Sequence, residues 1–134
     1  MAPAPDRGAL SVGVARITRE QMAALGAAMR RQFEVDALAM LRRDHPQATA
    51  RHPDDVMQLF VRHGIERARL GGIDTVSDVQ RWLRLMLRLG PYFDSDDAPH
   101  LGGVRAALAN VEIWGPLRLD EAEALAEHIA PAPL

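Results

Sequence analysis

The residues able to do chemistry are few, and their spacing decides what they could do. Asp94, Asp96 and Asp97 form an acidic loop that invites comparison with a calcium site. An EF-hand needs oxygen ligands at loop positions 1, 3, 5 and 12, with glycine at 6. Counted from Asp94, position 5 is Ala98, position 6 is Pro99 and position 12 is Arg105, so the pattern fails. The expectation is that these aspartates cap the next helix and stay solvated. His45, His52, His63, His100 and His128 contain neither an HxxxH nor an HExxH pair, and catalytic zinc needs three convergent ligands. His63, on a helix face, reads as a satisfied, half-buried side chain. There is no cysteine, and Ser11, Ser77 and Ser95 lie in no GxSxG elbow. Gly71-Gly72 and Gly102-Gly103 lack the spacing of a phosphate-binding loop. The reading is a non-enzyme without cofactor or metal.

Arginine carries all the positive charge, because the chain has 16 Lys plus Arg and every one is Arg. Together with abundant alanine this looks like the codon bias of a GC-rich genome, which discounts arginine as evidence for phosphate binding. Net charge is −2, too small for a nucleic-acid binder that relies on a strong global field. The charge is unevenly spread. Up to Pro91 there are 14 arginines against 10 acids, and from Tyr92 onward 2 against 8. Either the acidic C-terminal segment lies across the basic body and neutralises it, or the surface is two-signed and selects a partner by complementarity.

Helices must position these groups. Aromatic residues make up only 4% of the chain, so the core rests on Leu, Val, Met and Ala, which favours helix over strand. Residues 1–16, rich in Ala, Pro and Gly, read as a loose arm. Thr18 and Gln21 form a capping-box pattern, with Ile17 and Met22 as a hydrophobic staple. A first helix is expected from about Arg19 to Asp44, stopped by Pro46. Residues 47–52 read as a connector. A second helix follows to Leu70, carrying Val56, Leu59, Phe60, His63 and Arg67 on one side and Met57, Val61, Ile65 and Ala68 on the other. Gly64 inside it predicts a close helix approach.

Thr75 with Asp78 opens a third helix, Val76 to Leu89, apolar over most of its circumference and therefore central. Its polar stripe is Arg81, Arg84 and Arg88. These arginines either pair with acids such as Glu66 or the C-terminal segment, or face phosphates as in a helix-turn-helix. So apolar a helix is poorly suited to a DNA groove. A fourth helix is expected over Leu101 to Ile113, broken by Gly115-Pro116. A short fifth is capped by Asp120 and Glu123. The expected fold is all-α, a compact bundle of about five helices (residues 17–130) with the loose arm before it and a tail at 131–134. No apolar run reaches the ~20 residues of a membrane span, and no secretory leader is evident, so a cytoplasmic location is expected.

The stretch FVRHGIERARLGGIDTVSDVQRWLRLMLRLGPYFDSD, Phe60 to Asp96, resembles a group of small helical bacterial proteins that accompany type VI secretion spike and effector genes. The matching features are GIERA at Gly64–Ala68, the element from Gly72 to Val79, and LGPYFDSD at Leu89–Asp96. The upstream segment Ile17 to Glu34 also fits. One departure is that His100, not tryptophan, follows Pro99. The resemblance supplies no catalytic residues. It implies an accessory protein, an adaptor or chaperone holding a secreted effector or spike component before loading. Tyr92, Phe93, Asp94, Asp96 and Asp97, together with Arg81, Arg84 and Arg88, are the expected partner-binding residues, since aromatics beside charges make good anchors. The partner is expected to be another protein, with neither nucleic acid nor membrane involved. An immunity protein that blocks a toxin's active site is the second reading, its acidic tail able to mimic nucleic acid if the toxin were a nuclease, and a DNA-binding regulator is a weaker third.

Overall fold

The computed structural model describes residues 27–95 and 97–132. Among them the chain is all-α, with no strand. The helices are α1 (Ala27–Asp44), α2 (Pro46–Thr49), α3 (Asp54–Leu70), α4 (Val76–Leu89), α5 (Gly102–Ala109) and α6 (Gly115–Ala126). A 3-10 turn, Pro99–Leu101, leads into α5. The arm, the Thr18–Gln21 box, the Ile17–Met22 staple and Asp96 lie outside the described residues.

The centre is α4, as its wide apolar surface requires. Val79, Trp82, Leu83, Leu85, Met86, Leu87 and Leu89 are all buried. It starts where Thr75 Oγ1 accepts the backbone N–H of Asp78 at 3.2 Å, satisfying one of the unpaired donors of the first turn. It stops at Gly90, whose φ of +109° is open to glycine and strained for other residues. α3 packs on α4 through Met57, Val61, Ile65 and Ala68, one of the two sides distinguished in the sequence. At Gly64 the helices touch so closely that an added Cβ would meet Leu83 Cδ2 and would lie 2.6 Å from Met86 Sδ. α1 packs beside α3 through Ala37, Leu38, Met40 and Leu41. α6 covers the other flank of α4 and also packs on α5.

Three local expectations need correction, and proline explains two. The connector after Pro46 contains α2, because proline lacks an N–H and suits a first turn as well as it ends a helix. Thr49 Oγ1 donates back to the His45 carbonyl at 2.9 Å and closes that turn. By the same rule α6 begins at Gly115, with Pro116 in its first turn. Asp120 and Glu123 therefore lie inside α6 and cap nothing. The third correction is length: α5 ends at Ala109, and residues 110–114 form a turn.

Candidate interaction surface

The arginine stripe of α4 faces α6 and the end of α1. Arg81 binds Glu123 as a fork, with Nε donating to Oε2 and Nη2 to Oε1, both at 2.8 Å, and Nη2 also donates to Asp120 Oδ1 at 2.6 Å. Hydrogen bonding to Glu123 first, and to Asp120 after it, raises the Arg81 pKa above that of a free guanidinium, against the opposing effect of burial. Among the described residues Arg88 meets no carboxylate. It donates from Nε to the Ala126 carbonyl at 2.8 Å and from Nη2 to the Ile129 carbonyl at 2.9 Å, satisfying backbone acceptors at the end of α6. Arg84 has a looser partner, donating from Nη2 to Asp44 Oδ2 at 3.4 Å. Asp44 is shared with Arg43. The C-terminal segment thus lies across the basic helix, while Glu66 pairs with Arg69 instead. Between them His45, Arg84, Leu85, Arg88, Glu123 and Glu127 line a groove of about 460 Å³.

The aromatic pair splits. Tyr92 is 61% exposed, with its ring edge-on to His63 at 4.8 Å. His63 is satisfied through Nε2, which donates to the Pro91 carbonyl at 3.0 Å. Phe93 is 1% exposed and packs against Trp82 at 5.2 Å between ring centroids. It belongs to the core, so of the two rings only that of Tyr92 is presented at the surface. Asp94 is also turned inward: Oδ2 accepts from Arg67 Nε at 2.8 Å and is ion-paired with Arg67 Nη2 at 2.7 Å. That corrects the expectation of a solvated cap, since the following 3-10 turn has no side-chain cap. Asp97 is exposed, and Asp96 is outside the described residues.

A surface that sequence reasoning missed joins α5 to α6. Val111, Ile113, Trp114 and Leu117 are 72%, 41%, 66% and 53% exposed. Four large apolar side chains within seven positions leave a patch of the kind that marks interaction sites. Its backbone is held firmly. Asn110 Oδ1 accepts from Glu112 N–H at 3.2 Å and Asn110 O from Ile113 N–H at 3.0 Å. The Trp114 carbonyl accepts from Leu117 and Arg118 N–H at 3.0 and 3.1 Å. Arg118, only 5% exposed, donates to the carbonyls of Ile113 (2.9 Å), Gly71 (2.9 Å) and Leu108 (2.8 Å). The loop is anchored inward through its main chain while its side chains point out. The available signal was VEIW itself, an apolar cluster with no helical period between a helix and a Gly-Pro start.

Among the described residues no group of three or more His, Asp or Glu side chains converges as a metal site would require. None of the described helices is long and apolar enough to cross a membrane. No family model, curated protein or solved structure matches this chain.

Proposed function

We propose that this protein works by stoichiometric binding of another protein, as a cytoplasmic adaptor or chaperone for a type VI secreted effector or spike component. The observation that carries the binding role is the exposed Val111–Leu117 patch with Trp114 at its middle. Tryptophan supplies large contact area at low entropy cost and is enriched at the energetic centres of interfaces. Arg118 fixes the loop beforehand, so little ordering is lost when a partner docks. The secretion context rests on the resemblance of Phe60–Asp96. Two alternatives draw less support. A nucleic-acid mimic would need free carboxylates, and Asp120 and Glu123 are engaged by Arg81. A DNA binder would need free arginines on α4, and Arg81 and Arg88 are spent within the fold.

The test is affinity purification from the native host, read by mass spectrometry, with the wild-type chain and a Trp114→Ser, Ile113→Ser variant side by side. An effector or spike protein should co-purify with the wild type in stoichiometric amount and be lost from the variant. Identical partner sets for both chains would overturn the reading.

A further inference from the structure

A second cavity, of about 170 Å³, opens between the end of α3, the middle of α4, the Asp94 loop and α5. Its lining includes Arg67, Gly71, Trp82, Asp94, Arg105 and Leu108. Three of these residues carry buried polar atoms with no hydrogen-bond partner among the described residues: Trp82 Nε1, Asp94 Oδ1 and Arg105 Nε. Native interiors rarely leave such atoms unpaired, and a group of them around one cavity asks for a ligand of matching polarity. Trp82 is 3% exposed, so its indole N–H has no recourse to bulk water. Arg67 Nε and Nη2 both engage Asp94 Oδ2, the first by a hydrogen bond and the second as an ion pair, which leaves Oδ1 as the acceptor without a hydrogen bond.

The unmet demand is two N–H donors and one carboxylate acceptor. A carboxylate ligand would satisfy the donors but set its second oxygen against Asp94. An ammonium group would satisfy Asp94 and leave both donors unmet. A primary carboxamide answers all three, because its oxygen has two lone pairs and its nitrogen two hydrogens. We propose that this cavity takes the side-chain carboxamide of a glutamine or asparagine from the bound protein. The assignment rests on the protein-binding reading above. The exposed patch is tied to it: Gly71 and Leu108, which line the cavity, have their carbonyls held by the same Arg118 that holds Ile113.

The test uses the full chain, nitrogen-labelled, and follows the two indole N–H resonances by NMR, with a Trp114→Phe variant to assign Trp82. The probes are the N-acetyl methylamides of glutamine, glutamate and norleucine. The glutamine probe should shift the Trp82 resonance saturably, and Arg105→Met, which leaves the core intact, should weaken that binding about tenfold. No saturable shift, or equal shifts from all three probes, would overturn the proposal and leave ordered water as the cavity's occupant. Because no partner protein is used, failure here is distinguishable from failure of the affinity purification.

Discussion

Arg118 on α6 donates from Nη1 to the carbonyl of Gly71, 47 residues earlier, at 2.9 Å. The same nitrogen donates to Leu108 at 2.8 Å. One buried cation therefore joins the turn after α3, the end of α5 and the start of α6, with no carboxylate partner among the described residues. Replacing it with Met would preserve most of the packing but leave three carbonyls without their charged donor. We expect Arg118→Met to lose about 2–4 kcal/mol of stability, measured by urea unfolding.

Gly64 sets a second expectation. Alanine there should gain about 1 kcal/mol of helix propensity, yet its Cβ would strike Leu83 and Met86, both 0% exposed. Overpacking of a full core costs about 1–3 kcal/mol, so Gly64→Ala should destabilise on balance. A melting temperature at or above that of the wild type would contradict the close approach of α3 and α4.

The Arg81 fork is partly exposed, with side chains at 21% for Arg81 and 40% for Glu123, so its net worth is modest. A double-mutant cycle of Arg81→Gln with Glu123→Gln should give a coupling of about 0.5–1 kcal/mol, declining as salt is raised. A coupling indistinguishable from zero at low salt would mean that the fork is not held in solution.

Asp44 offers a pH-dependent expectation. Its pKa is lowered, chiefly by the hydrogen bond from Arg43 and to a smaller extent by Arg84, with burial opposing. A carboxylate depressed in the folded state contributes stability above its unfolded pKa and loses it as pH falls through the folded value. In a carboxyl NMR titration Asp44 should titrate below a free aspartate. Arg43→Gln should move it upward more than Arg84→Gln does.

Trp114→Ala should behave quite differently from the core variants. Its side chain contributes little to folding, so stability should stay within about 0.5 kcal/mol of the wild type by thermal unfolding. A larger loss would show that Trp114 supports the fold rather than a partner.

Much of this architecture was readable from local pattern. α4 ran from Thr75 to Gly90 as read, because its cap, its apolar stripe and its glycine stop all act within a few residues. The tight helix approach at Gly64 and the pairing of Arg81 with the acidic C-terminal segment were also readable. The failures share a physical cause. Pro46 and Pro116 read as stops in the sequence, although proline fits the first turn of a following helix equally well, and only tertiary packing decides which. The burial of Phe93 and Asp94 is not legible in the sequence because an irregular loop has no period by which to tell inward from outward residues. The same lack of period concealed Val111 to Leu117, whose exposure depends on Arg118 holding the backbone from beneath.

The clasp around Arg88 bears on the order of events during synthesis. Arg88 donates to the carbonyls of Ala126 and Ile129, and its own carbonyl accepts the N–H of Ala132 at 2.7 Å. Arg81 likewise waits for Glu123. Both are therefore made well before these companions, Glu123 lying 42 residues after Arg81 and Ala126 38 after Arg88. Arg84, by contrast, has its partner, Asp44, already behind it in the chain.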